Sequence, residues 1–125
     1  MKKNIIYIVL VLLLIGVICF LTFGKDLVKP NYMTIKGKEA VTLVKKGAIV
    51  LDVRSQSEYK KKHIKDAVNL PSQYVKKINF KSEKPIIVYC SKAKDCRDSA
   101  NTLIEKGFTN VYNLGSFDNW TGDTE

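Results

Sequence analysis

One histidine, one tryptophan and two arginines are all that 125 residues hold of these types. Each scarcity excludes something. A structural zinc set takes four histidine or cysteine ligands. His63 with Cys90 and Cys96, the two cysteines beyond the N-terminal apolar run, falls short of that, so no metal is expected. The base is almost all lysine. From Lys25 onward there are 19 basic and 12 acidic residues, which accounts for +7 of the formal net charge of +9. Nucleic-acid readers lean on arginine interleaved with aromatics, and only Arg54 and Arg97 are present, so no nucleic-acid partner is expected. Lys60-Lys61-Lys62 reads as the solvated face of a short helix. A lysine-rich surface suits a membrane-proximal position or small anions. No internal repeat and no low-complexity stretch occurs, so a solenoid is excluded.

Charge is missing altogether from Ile5 to Phe23, a run of 19 residues. As a helix it spans roughly 28 Å, close to the hydrocarbon thickness of a bilayer. Lys2 and Lys3 precede it, as in a bacterial signal or anchor segment. Thr22-Phe23-Gly24 is a poor cleavage site, and Ile18 stands where a lipoprotein would have a small residue before Cys19. An uncleaved membrane anchor through residues 5–23 is the expectation, with secretion after signal cleavage as the alternative. Lys2, Lys3 and the amino terminus hold the N-terminal end inside; Lys25, Lys29, Lys36 and Lys38 pull the other way. Signal-like N-termini usually prevail, which puts the rest of the chain outside the cytoplasmic membrane, where its cysteines meet an oxidising compartment. Residues 1–24 are thus the anchor or signal segment, 25–31 a linker with Pro30, and 32–125 one small domain.

That domain alternates strand and helix. Tyr32 to Ile35 reads as an edge strand and Gly37 to Lys46 as a helix with Ala40, Val41, Leu43 and Val44 on one face, closed by Gly47. Ala48 to Val53 is a buried strand. Ser57 to Lys62 makes a short helix starting at Ser57 as N-cap, Ala67 to Leu70 a short strand stopped by Pro71, and Tyr74 to Ile78 a helical turn. Pro85 to Cys90 is the central strand, Cys96 to Lys106 a helix stopped by Gly107, Val111 to Leu114 a strand, and Phe117 to Trp120 a last turn. Short buried strands alternating with helices imply an α/β domain: a parallel sheet with helices on both faces.

The chemistry gathers at the end of the central strand, Ile86-Ile87-Val88-Tyr89-Cys90. A cysteine at a carboxyl end just before a helix sits where open α/β sheets place reactive groups. The loop Ser91-Lys92-Ala93-Lys94-Asp95-Cys96 can aim backbone N–H groups at one point. With the positive end of the helix they stabilise a thiolate and an anion bound to it. The plainer reading, equally open from position alone, is a structural cysteine ending a core strand.

Leu51-Asp52-Val53-Arg54, Glu58-Tyr59, His63-Ile64, Ala67-Val68-Asn69-Leu70-Pro71, Val88-Tyr89-Cys90, Gly107 to Leu114 and Trp120 together resemble the single-domain rhodanese pattern, in order and spacing. The resemblance runs from about Tyr32 to Trp120. It implies a rhodanese-like fold with Cys90 as a sulfur-carrying nucleophile. Members pass sulfane sulfur from thiosulfate, polysulfide or a persulfide, through a cysteine persulfide, to a thiol or cyanide. The implied partners are a small anionic sulfur donor and a thiol acceptor or reductase, with no cofactor. Three departures stand out. Ala93 and Asp95 occupy positions where the family usually has glycine and arginine, and Asp66 replaces a glycine before Ala67. The Gly115-Ser116-Phe117 turn is also one residue short. Asp95 places negative charge where anionic donors arrive and opposes their binding, while Lys92, Lys94 and Arg97 are placed to compensate, so efficient use of thiosulfate does not follow from the resemblance.

The remaining candidates have supporting roles. Asp52 and Arg54 are expected to orient the loops at the sheet's carboxyl edge. Glu58 and His63 are expected to be structural and Trp120 a core cap. A phosphatase loop needs an arginine at the sixth position after its cysteine; here that position is Cys96 and Arg97 comes one step late. Cys96 has two open readings: a small filler of the helix's first turn, or a second thiol close enough to Cys90 to form a disulfide. A catalytically idle binding module on the same fold stays open as the alternative function.

Overall fold

The computed structural model describes residues 2–23 and 32–125. The expected linker at 25–31 lies outside the described residues. Contacts divide the chain into Met1–Pro30 and Asn31–Glu125. In the first unit, helix α1, Lys2–Phe23, is apolar on every side, and its large side chains from Ile5 to Leu21 stand exposed. An amphipathic core helix would bury one stripe. This helix is long and apolar enough to cross a membrane, a test that a signal sequence near an N-terminus also passes.

The second unit is a five-stranded, all-parallel sheet of order β1-β5-β4-β2-β3. Its strands are β1 Met33–Thr34, β2 Ile49–Asp52, β3 Val68–Asn69, β4 Ile86–Cys90 and β5 Val111–Ser116. β4 lies in the middle with all five residues buried. Strand periodicity sends alternate side chains to opposite faces. Ile86, Val88 and Cys90 join one cluster, with Leu51, Val53 and Val111 of the neighbouring strands. Ile87 and Tyr89 join the other, with Val50 and Leu114. A continuous apolar run without polar alternation is what a strand covered on both faces requires.

Helices supply both covers. α2, Gly37–Lys45, packs Ala40, Leu43 and Val44 on the Tyr89 side. α4, Ala93–Glu105, buries Cys96, Ser99, Ala100 and Leu103, spaced i, i+3, i+4 and i+7. Cys96, Ala100 and Leu103 of this stripe pack on the Cys90 side together with Val75 from a 3-10 turn over Ser72–Lys77. Gly107, at φ +98°, ends α4 in a conformation that favours glycine.

Three local expectations are corrected. α4 begins at Ala93 rather than at Cys96. Lys92 is extended (φ −115°, ψ 129°), and its carbonyl accepts the amides of Asp95 and Cys96, so winding begins just after it. α3, Gln56–Lys61, is capped by Ser55 and not Ser57, because the Ser55 side chain accepts the Glu58 amide at 3.3 Å. The turn around Tyr74 is 3-10, beginning just after Pro71.

Candidate active site

The carboxyl ends of β2, β3 and β4 open onto a cavity of about 630 Å³, lined by Arg54, Glu58, Asn69, Ser91, Lys92 and Asp95 among others. Sheet topology dictates this place, since the crevice of an open parallel sheet lies beyond its carboxyl edge.

One wall is a buried polar network. Asp52 is fully buried, and Arg54, two residues on, reaches back to it. The Arg54 amide donates to Asp52 Oδ1 at 2.9 Å, Nε to the same oxygen at 3.1 Å, and a terminal nitrogen to Oδ2 at 2.8 Å. The Tyr89 hydroxyl also donates to Oδ2 at 2.5 Å. Arg54 donates further to the Lys62 carbonyl at 2.7 Å, and its guanidinium carbon lies 4.5 Å from the Phe117 ring centroid. Burial opposes the Arg54 charge, but the Asp52 carboxylate outweighs it and the guanidinium pKa lies above its ordinary value. Burial, and then the bond to Asp52, push the Tyr89 hydroxyl up. The side-chain amide of Asn69 donates to the carbonyls of Asp52 and Arg54, both at 3.1 Å. Asp52 and Arg54 thus tie the carboxyl edge of the sheet together through hydrogen bonds. With its charge matched by Asp52, Arg54 has little attraction left for an anion.

Glu58 is more than the structural residue expected. Its carboxylate accepts from Ser55 at 3.0 Å and from the Ser91 hydroxyl, which ties the N-cap of α3 to the residue after Cys90. The Ser91 bond, then the Ser55 bond, hold the Glu58 pKa below the usual 4.5. A lowered folded-state pKa means that this tie is complete above the ordinary carboxylate range and is lost as pH falls through the lowered value. A carboxyl titration followed by NMR is expected to give Glu58 a midpoint below 4.5. Ser91→Ala should move it upward; an unmoved midpoint would remove Ser91 as the cause.

The expected cradle, Ser91 to Cys96, is mostly helix. Only Ser91 and Lys92 lie between β4 and α4, and Ala93 to Cys96 form the first turn. The amides of Ala93 and Lys94 have no partner within their own helix, as at the start of any helix. Asp95 lines the cavity as expected, and so does Lys92. Lys94 turns mainly to Asp98, which its amino group bonds at 2.5 Å on the exposed face, and feels Asp95 more weakly; Arg97 is exposed, and both lie outside the cavity lining.

Cys90 and Cys96 form a disulfide with a Cα separation of 5.6 Å, within the ordinary range for such bridges. Both residues are buried, at 1 % and 0 % exposure, and neither lines the cavity. The pairing of β4 with β5 shifts register between Val88 and Tyr89: Val88 faces Asn113, while Tyr89 faces Gly115. The extra residue, Leu114, and the positive φ of Gly115 (+82°) re-aim the strand. As a result the Gly115 carbonyl oxygen lies 3.5 Å from Cys90 Sγ and 3.6 Å from Cys96 Sγ.

His63 stays apart from this site. Its ring stacks on Tyr59 with centroids 3.7 Å apart, its Nδ1 meets the Tyr59 carbonyl at 2.8 Å, and its Nε2 meets Glu125 at 3.2 Å. Both ring nitrogens are engaged, so the geometry offers no cysteine–histidine pair. Trp120 packs against the Tyr89-side cluster, as a core cap does, and donates from Nε1 to the Asp123 carbonyl at 2.9 Å. Sequence reasoning missed Ser55, Gln56, Ser72 and Tyr74 as cavity-lining residues. Their signal was position, since each follows a strand at its carboxyl end.

The chain is similar to known proteins in sequence and fold. Residues 37–123 match the model of the rhodanese-like domain. Thiosulfate sulfurtransferase GlpE of Coxiella burnetii is 40% identical over 93 residues, covering 71% of this chain and 87% of that protein. The GlpE of Haemophilus influenzae is 32% identical over 95 residues, covering 72% and 89%. Among solved structures, the Alr3790 protein from Anabaena superposes with a TM-score of 0.64 at 26% identity, covering 71% of this chain and 88% of that one. With its five-stranded parallel sheet, and with the matched segment embracing nearly all of the second unit, the chain belongs to the rhodanese-like domain family of sulfurtransferases.

Proposed function

We propose that this chain is a membrane-anchored sulfurtransferase in which reduced Cys90 takes up sulfane sulfur as a persulfide and hands it to a thiol or cyanide. The observation that carries this reading is the position of Cys90. It ends the central strand, against the first turn of α4 and beside an open cavity. A thiolate there attacks the outer sulfur of thiosulfate and sulfite leaves. The free amides of the first helical turn hold the resulting anion. The test is sulfur loading. Reduced full-length protein carrying Cys96→Ser, which leaves Cys90 as the one cysteine of the site, exposed in detergent to thiosulfate or polysulfide and then desalted, should carry about one cyanolysable sulfur per chain, on the peptide containing Cys90. No uptake from any donor would favour the second reading, a rhodanese-like module kept for protein contacts. Asp95 and the burial of both sulfurs are the observations on its side.

Donor choice follows from the cavity's charge. Glu58 and Asp95 face it, Lys92 is the one free cation among its described lining residues, and Arg54 is matched by Asp52. Thiosulfate, a dianion, should therefore load slowly. Asp95→Asn is expected to raise its rate several-fold, and the gain should shrink with added salt as screening sets in. A neutral trisulfide donor should respond less. Equal thiosulfate rates in the two proteins would show that Asp95 does not govern donor entry.

α1 is assigned here as an uncleaved anchor with the domain outside the cytoplasmic membrane. The exposed apolar side chains of α1 support it, as does the disulfide, which persists in oxidising compartments. The intact protein should remain with membranes through high-salt and carbonate washing. A soluble chain beginning near Lys25 would instead establish signal cleavage.

A further inference from the structure

We infer that the Cys90–Cys96 pair gives this protein a second activity: reduction of the captured sulfane sulfur to sulfide, with Cys96 as the resolving thiol. The inference rests on the sulfurtransferase reading and goes beyond persulfide transfer to an outside acceptor.

Three observations converge on it. The helix starts at Ala93, so Cys96 falls on the inward stripe of α4 with Ala100 and Leu103, aimed at the end of β4. Its sulfur reaches the inner sulfur position of Cys90, as the bond between them demonstrates. The bulged Gly115 carbonyl touches both sulfurs at nearly equal distance, so one backbone acceptor serves whichever cysteine carries the proton. A purely structural staple is the weaker account. A bridge across a sequence separation of six constrains the unfolded chain less than one closing a long loop, because the stabilisation grows with the length of the closed loop. This bridge also consumes the one cysteine placed to act as nucleophile.

The reaction balances in three steps. The Cys90 thiolate attacks the sulfane sulfur of thiosulfate; a new S–S bond forms, the old one breaks, and sulfite leaves with its electron pair. The Cys96 thiolate then attacks Cys90 Sγ. The Cys90–Cys96 disulfide forms, the bond to the outer sulfur breaks, and that sulfur leaves with the electron pair, takes up the proton that the Cys96 thiol gave up and departs as hydrosulfide. Two electrons have passed from the two cysteines to the sulfur atom. Finally an external dithiol is oxidised to its own disulfide and restores the pair. Both sulfurs are buried, and the chain next to them that a reductant meets is the exposed segment Ser91 to Lys94. A protein dithiol able to dock on this segment suits that geometry better than a small monothiol.

The test is a single turnover without outside reductant. Full-length protein carrying Cys19→Ser, to remove the third thiol, is reduced, desalted without oxygen and given thiosulfate labelled with a heavy isotope at its sulfane position. Wild-type Cys96 should release about one equivalent of labelled sulfide per chain and yield a linked Cys90–Cys96 peptide. Cys96→Ser and Cys96→Ala should instead retain the label on Cys90 as persulfide and release no sulfide. Retention of labelled persulfide by the protein with Cys96 intact, with Cys96 still open to alkylation, would overturn the resolving role and leave sulfur transfer standing. Failure of all three proteins to take up label from thiosulfate, and from polysulfide labelled in the same way, would overturn sulfur transfer itself, and this activity with it.

Discussion

Asp52→Ala is expected to lower the stability of the folded domain by about 3 kcal/mol, the lower end of the range for breaking a buried ion pair. The side chain is fully buried and accepts from three groups: the Arg54 amide, the Arg54 guanidinium and the Tyr89 hydroxyl. Truncation strands the Arg54 charge at 8 % exposure, with the Lys62 carbonyl as its remaining partner. It also leaves a buried hydroxyl without its acceptor. Partial access to water from the cavity keeps the loss near the low end. The same physics makes the double variant Asp52→Ala, Arg54→Met less harmful than the single one, because no unpaired charge remains. Urea unfolding followed by Trp120, the sole tryptophan, measures both. A single variant within about 1 kcal/mol of wild type would mean that Arg54 finds water or another partner when Asp52 is removed.

Cys90→Ser is expected to reduce sulfur uptake by on the order of a thousandfold or more, as loss of a covalent nucleophile does. A serine hydroxyl at this site has no nearby general base, because His63 is engaged by Tyr59 and Glu125. The complication is Cys96, whose sulfur occupies the same pocket and could load in place of Cys90. The double variant Cys90→Ser, Cys96→Ser separates these cases. Residual uptake in the single variant that disappears in the double one would identify Cys96 as a substitute nucleophile. Uptake by the double variant that disappears only when Cys19 is also replaced would place the chemistry outside this site.

Much of this protein was legible in its sequence because the signals are local. The apolar run Ile86 to Val88 has no polar alternation, which only a strand buried on both faces tolerates, and β4 is that strand. Ala40, Leu43 and Val44 repeat at helical spacing, and Gly107 stops a helix. The charge-free run from Ile5 to Phe23 marks a helix that no small domain could cover. Motif order from Asp52 to Trp120 carried the family, and with it the strand ends where the site lies.

What tertiary structure alone decided depends on atoms distant in sequence. Helix α4 starts at Ala93 instead of Cys96, and that shift turns Cys96 inward beneath Cys90. Glu58 becomes a site residue only because Ser91, thirty-three positions away, donates to it. The bulge opposite Val88 and Tyr89 brings a Gly115 carbonyl to two sulfurs, a contact no local pattern announces. Patterning sets which face a side chain takes, because strand and helix periods are properties of the local backbone. Which atoms then meet across the sheet edge is set by register and helix start, both fixed by packing between segments far apart in the chain.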